Sequence, residues 1–271
     1  GGPEPLLVER LLQVWIYNSF DLGGEDGREA GVIFLSAAMM SHSCLPSAAW
    51  HLDDANSFIL HARRRVEEGE EITIPYLGPA DLCLPTADRR EILSVTKGFR
   101  CTCDRCSAPR DSARAFRCPR CGGNEALALA DPAPAEGVGS SSSSAAVARD
   151  GDLACSACGA LSGAEAAPLL ALEAKLRSWA RSRPEFQAPQ VEREDEGGDD
   201  LPSEVAAELL RAAEEGGLED RHWIVDVARE AAAADEPVRA VDLLQQRLAV
   251  HSAEAGHCAT KRARLQLALG E

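Results

Sequence analysis

Cysteine placement constrains this chain more than any other feature. Cys101, Cys103 and Cys106 lie within six residues, and Cys118–Cys121 and Cys155–Cys158 form two C-x-x-C pairs. Ten cysteines are present in all, but such tight clusters do not make a disulfide framework. The opening GGPEPLLVER has no basic stretch ahead of an apolar run, so nothing there reads as a secretory signal. The clusters therefore read as zinc ligands in a reducing compartment. Three thiolates on one loop leave a tetrahedral zinc one ligand short, and Cys44 is the obvious fourth donor. Cys118 and Cys121 precede Gly122, which permits the turn that aims backbone amides at sulfur, and Cys158 precedes Gly159 in the same way. These four read as a second structural site, closed to water by four thiolates. Cys83 and Cys258 have no partner pattern and read as ordinary thiols.

The 271 residues allow about two domains, and 45% hydrophobic content supports a sizeable core. The net charge is −16: −5 over residues 1–110 and −11 over the rest. That balance argues against nucleic acid, whose binding needs clustered Lys and Arg, and it suits a Lys-rich protein partner. No run approaches the ~20 apolar residues of a membrane-spanning helix, so no membrane association is expected. With Gly1 first and methionine only at positions 39 and 40, the chain reads as a fragment.

Leu6, Leu7, Leu11, Leu12 and Trp15 recur at helical spacing, with Pro5 suited to a first turn. One amphipathic helix is predicted over 5–16, followed by a Gly-rich acidic loop at 21–29. The apolar run 31–40 suits a short strand or helix. Strands are predicted over 57–66 and 72–76, the latter ending or edged at Pro75, with an acidic turn at 67–71 between them. A helix is predicted over 86–97 with Thr86 as its N-cap. The low-complexity stretch 131–150, with five consecutive serines, reads as a disordered insertion between the two C-x-x-C pairs. Amphipathic helices are expected over 164–182, 203–215, 218–234 and 237–250, with an acidic linker at 183–202.

Three motifs stand in order within about seventy residues: Ser41-His42-Ser43-Cys44-Leu45-Pro46-Ser47, then Gly69-Glu70-Glu71-Ile72-Thr73-Ile74-Pro75-Tyr76, then Arg89-Arg90-Glu91 ahead of Phe99-Arg100-Cys101-Thr102-Cys103-Asp104-Arg105-Cys106. Together they resemble the C-terminal half of a SET domain with its post-SET zinc module, in the SET-and-MYND branch of protein-lysine methyltransferases. Asn18-Ser19-Phe20 resembles the N-x-F segment of that branch. The resemblance covers roughly residues 5–160, and the helical tail resembles that branch's C-terminal domain more loosely.

The resemblance implies an α+β chain: the second half of a β-rich SET fold over 1–97, the post-SET and second zinc modules over 98–163, and an all-α, tetratricopeptide-like domain over 164–271. It implies S-adenosylmethionine as methyl donor, Zn(2+) as structural metal and a lysine-containing protein, histone or other, as substrate, in a monomer of cytoplasm or nucleus. Tyr76 falls where the family has its catalytic tyrosine, placed to hold the amine that receives the methyl group. Asn18, Ser41, His42 and Phe99 fall on positions that bind the donor: Asn18 at its amino-acid end, Ser41 and His42 through the backbone and the His side chain, Phe99 against the adenine. The family also pairs Cys44 with Cys101, Cys103 and Cys106 at the post-SET zinc.

Several positions depart from the family pattern. Ser41 and Ser47 stand where the family has Asn, and a hydroxyl offers fewer hydrogen bonds than an amide. Lys97 stands where the branch often has an aromatic; it opens the channel wall or puts a cation in the acceptor lysine's place. The family's Gly-rich donor-binding strand and MYND finger are not among these residues. A non-catalytic SET-fold scaffold that keeps its zincs is the alternative reading. A zinc-ribbon nucleic-acid binder runs against the acidic charge.

Overall fold

The computed structural model describes residues 4–22, 30–53, 55–123, 126–129, 151–181, 210–235 and 237–253. The insertion expected at 131–150 and the linker at 183–202 lie outside them, as does Cys258. The chain divides into two compact units, residues 1–76 with 90–103 and residues 77–89 with 104–271.

In the first unit, helix α1 (Pro5–Asn18) begins at Pro5 as its apolar spacing predicts and runs two residues past that pattern. Its large apolar side chains, among them Leu11, Leu12 and Ile16, remain exposed. Strands β1 (Phe20–Asp21) and β2 (Gly31–Val32) pair antiparallel. The apolar run 31–40 is neither one strand nor one helix. After β2 it turns, so that Phe34 joins an aromatic cluster and Ala37 is buried in a 3-10 turn (Ala37–Met39).

Strand β3 (Ser41–His42) comes next, then the hairpin β4 (Ala48–Leu52) and β5 (Phe58–Ala62). Asp53 Oδ1 accepts the N–H groups of Ala55 at 2.9 Å and Ser57 at 2.7 Å, which closes the hairpin with a side chain. The strand predicted over 57–66 stops at Ala62. Beyond it Arg63 N donates to Ser47 O at 2.9 Å, and Arg64 pairs with Glu70. Strand β6 (Thr73–Ile74) ends before Pro75, as a residue without an N–H requires. Phe20, Phe34, Trp50 and Phe58 form a half-buried aromatic cluster in this unit, with ring centroids 5.0 to 5.8 Å apart. Three of these contacts are edge-on, the arrangement that aromatic quadrupoles favour.

The second unit opens with a 3-10 turn (Asp81–Cys83) and the first turn of helix α2 (Thr86–Lys97). Thr86 is the first helical residue rather than the flanking cap. Its N–H is taken by the Asp111 carboxylate at 2.5 Å, and its hydroxyl accepts from the fully buried Arg89 at 3.0 Å. The cap comes from 25 residues away, beyond the reach of a local pattern. A short helix, α3 (Asp104–Ser107), leads to a four-stranded antiparallel sheet. Its spatial order is β10 (Gly159–Ala160), β9 (Leu153–Cys155), β8 (Ala126–Leu129), β7 (Arg110–Phe116).

Helix α4 (Gly163–Arg181) starts on a capping box: Ser162 N donates to Glu165 Oε2 at 2.8 Å and Glu165 N to Ser162 Oγ at 3.4 Å. Residues 210–215 are helical. The next helix, α5 (Trp223–Asp235), begins five residues later than its apolar pattern suggests. Leu218 bridges to Phe116 and Glu219 N donates to Ala115 O at 3.1 Å, so this stretch pairs with β7 instead. Helix α6 (Pro237–Ala253) packs on α5, and α5 on α4. Glu173 of α4 holds Arg114 of β7 at 2.6 Å and stands 3.4 Å from the fully buried His222. No described helix is long and apolar enough to cross a membrane.

Candidate functional site

The first two motifs meet because β3 and β6 pair in parallel, Ser41 opposite Thr73 and His42 opposite Ile74. Ser43 N extends the ladder to Ile74 O at 3.2 Å. Ser47, fully buried, exchanges bonds with Thr73: Ser47 N donates to Thr73 Oγ1 at 3.0 Å and Thr73 N to Ser47 Oγ at 2.9 Å. A hydroxyl fits this enclosed exchange.

His42 sits at the centre. Its Nδ1 accepts the Tyr76 backbone N–H at 3.0 Å, which assigns the ring proton to Nε2. Nε2 stands 3.3 Å from Cys44 Sγ. One imidazole therefore ties the end of β6 to the sulfur of Cys44. Tyr76 packs on His42 with ring centroids 5.3 Å apart, and Phe99 approaches His42 at 6.0 Å and Tyr76 edge-on at 6.3 Å. The Tyr76 hydroxyl donates to Met40 O at 2.5 Å. Burial, and then the negative charge of Glu71, hold that phenol above its ordinary pKa. It is thus neutral at physiological pH, a donor with oxygen lone pairs to spare.

Lys97, the last residue of α2, sends Nζ over the Tyr76 ring at 5.8 Å from the centroid and donates to Tyr17 O at 3.2 Å. Half-burial lowers its pKa.

The structure thus brings His42, Tyr76 and Phe99 together, with Ser41 beside His42. Ser41 is exposed, and its hydroxyl donates to Glu71. Asn18 turns its side-chain amide back to Val14 O at 2.9 Å, inside its own helix. Three participants were not singled out from sequence: the carbonyls of Tyr17 and Met40, and Glu71. Only Glu71 carried a signal, as part of the Gly69-Glu70-Glu71 motif.

The sulfur atoms of Cys44, Cys101, Cys103 and Cys106 all lie within 4.8 Å of one another, and so do those of Cys118, Cys121, Cys155 and Cys158. In the first set Cys44 Sγ and Cys101 Sγ are 4.0 Å apart, and Cys44 N donates to Cys103 Sγ at 3.4 Å. In the second, Cys118 Sγ stands 3.5 Å from Cys158 Sγ and Cys121 Sγ 3.7 Å from Cys155 Sγ. Gly122 and Gly159 take the positive φ that both knuckles require, 70° and 77°. The backbone amides of Cys158 and Ala157 then bring the Cys155 thiol down to about 7. Four converging sulfurs, three of them buried in the first set, match the donor number and softness of a closed tetrahedral zinc site.

Residues 15–77 match the family model of the SET domain. The chain is 36% identical over 89 residues to the SET domain-containing protein SmydA-8 (isoform B) of Drosophila melanogaster, covering 32% of this chain and 19% of that protein. It is 35% identical over 101 residues to the histone-lysine N-methyltransferase SMYD3 of Mus musculus, covering 37% and 22%. To the protein-lysine N-trimethyltransferase SMYD5 of Gallus gallus it is 31% identical over 114 residues, covering 40% and 27%. The matched part spans less than a third of the length of these relatives. The SET-and-MYND resemblance carried by the three motifs is thus found again in relatives matched over about a third of the chain.

Proposed function

We propose, with the SET-domain segment at residues 15–77 as premise, that this chain is the C-terminal part of an S-adenosylmethionine-dependent protein-lysine N-methyltransferase. The observation that carries the reading is the corner built by His42, Tyr76 and Phe99 beside the Cys44 sulfur. Transfer to an amine needs a dry, oriented site more than it needs acid–base chemistry. The bound donor would supply an electrophilic sulfonium methyl group. Tyr76, held neutral and braced on Met40 O, offers its oxygen to an acceptor amine. Phe99 offers a ring face for a purine, and Ser41 and His42 offer backbone. Asn18 is proposed for the amino-acid end of the donor, which requires its amide to leave Val14 O.

In this reading Cys44, Cys101, Cys103 and Cys106 hold one Zn(2+), and Cys118, Cys121, Cys155 and Cys158 hold a second. Both are structural. The division into a SET half over 1–97, zinc modules over 98–163 and a tetratricopeptide-like helical domain over 164–271 belongs to the same proposal. Support for the last comes from α5 packing on both α4 and α6. The charge of −16 supports a lysine-containing protein as substrate rather than nucleic acid; the protein is proposed to act as a monomer in cytoplasm or nucleus.

The test is isothermal titration of S-adenosylhomocysteine into the full-length protein. Saturable binding is expected, weakened by Phe99→Ala; absence of heat at millimolar ligand ends the enzymatic reading.

A further inference from the structure

The sequence contains only three lysines, at 97, 175 and 261, against 25 arginines. One of the three ends α2 with its amine over the ring of Tyr76. Among the described residues no carboxylate pairs with it. Its contacts are the Tyr17 carbonyl at 3.2 Å and the Tyr76 ring face at 5.8 Å from the centroid. Gly98, at φ 74°, ends the helix directly after Lys97. The Lys97 amine thus lies between the Tyr17 carbonyl of α1 and the Tyr76 ring.

We propose that Lys97 is the site's own acceptor, a lysine methylated in cis beside Tyr76. This rests on the methyltransferase reading above and names one substrate for it. Two features favour a reactive amine. It is held by a neutral carbonyl and a ring face rather than by an anion, and burial favours its uncharged form. In the step, the Nζ lone pair forms a bond to the methyl carbon of a sulfonium donor. The carbon–sulfur bond breaks and its electron pair stays on sulfur, which leaves as a neutral thioether. The methylammonium produced sheds a proton to solvent. The Tyr76 oxygen, already donating to Met40 O, has lone pairs free to accept an N–H of the amine and orient it.

The test incubates the full-length protein with S-adenosylmethionine bearing a trideuterated methyl group, together with recombinant core histones, and maps heavy methyl groups by mass spectrometry. A heavy methyl on Lys97, absent from Lys175 and Lys261 and formed at a first-order rate independent of protein concentration, supports the proposal. Heavy histones with unmodified Lys97 overturn it and leave the enzymatic reading standing. No transfer to either overturns both, and a rate that grows with protein concentration overturns the cis arrangement. A second readout needs no donor. With limiting acetic anhydride at a series of pH values, the half-reaction point of Lys97 is expected below that of Lys175, and equal points overturn the proposal.

Discussion

Cys44 and Cys101 lie 57 residues apart in sequence, yet their sulfurs stand 4.0 Å apart in the first unit. That separation is about twice a disulfide bond and close to the spacing of two thiolates around one tetrahedral cation at ~2.3 Å from each. The β3 motif and the loop that carries Cys101 and Cys103 therefore share an anchor, and His42 passes its position on to Tyr76.

Metal content follows from this geometry. The purified protein is expected to hold two zinc ions, one per cysteine cluster. Cys101→Ser should remove the first and Cys118→Ser the second, each lowering the melting temperature. Because metal binding at such sites is folding free energy, a chelator should lower it further than either variant does. Atomic absorption on the three proteins checks this, and zinc unchanged in Cys101→Ser would count against the first cluster.

Tyr76→Phe keeps the ring that packs on His42 and Phe99 and keeps the backbone N–H that His42 accepts. It leaves the Met40 carbonyl without the phenol, at a stability cost of about 1 kcal/mol. Under the proposed function, methyl transfer to histone should fall by about 10²-fold or more, with S-adenosylhomocysteine affinity nearly unchanged. Steady-state kinetics set beside calorimetry separates the two effects.

Acid should weaken the second unit in two stages. Burial holds His222 below its ordinary pKa of 6.5, so the unfolded chain takes up that proton first and stability declines below about that pH. For Glu173, burial pushes the carboxyl up, but Arg114 and His222 more than offset it and leave it below the ordinary 4.5. Its contribution is complete above that value and is lost as pH falls through the lower folded value. Urea unfolding across pH 2 to 8 should show a slope approaching 1.4 kcal/mol per pH unit per proton. His222→Gln should remove the upper stage and keep the lower.

The aromatic cluster sets a fourth expectation. Phe20 meets Phe34, Trp50 and Phe58 edge-on within 5.8 Å. Phe20 is half-buried, so Phe20→Ala should cost about 1–2 kcal/mol and change Trp50 fluorescence, read by denaturant titration. Phe20→Leu should recover most of the loss.

How far the sequence reaches can be judged residue by residue. Cysteine spacing located three ligands of the first cluster and both pairs of the second, because neighbouring donors to one metal recur at short, fixed intervals; Cys44, 57 residues from Cys101, lies outside any such interval. Gly122 and Gly159 marked both knuckles for the same reason. Pro5 and Pro75 fixed the start of α1 and the end of β6, since proline acts locally. Long-range interactions stayed hidden. Asp111 caps α2 from another strand, and Leu218 leaves the helical pattern to meet Phe116. The parallel pairing of Ser41 and Thr73 is equally invisible to periodicity, as are the carbonyls of Met40 and Tyr17, which carry no side-chain signal.

Leu129 N donates to Asp152 O at 3.1 Å, so the two ends of whatever lies between them leave and re-enter the sheet at one clasp. A fluorescent protein or an affinity tag grafted into that interval would be tethered at both ends to the β8–β9 ladder. It would sit outside the strands that carry the sulfur ligands. Labelling this molecule for imaging or for pull-down could then leave both chain termini untouched.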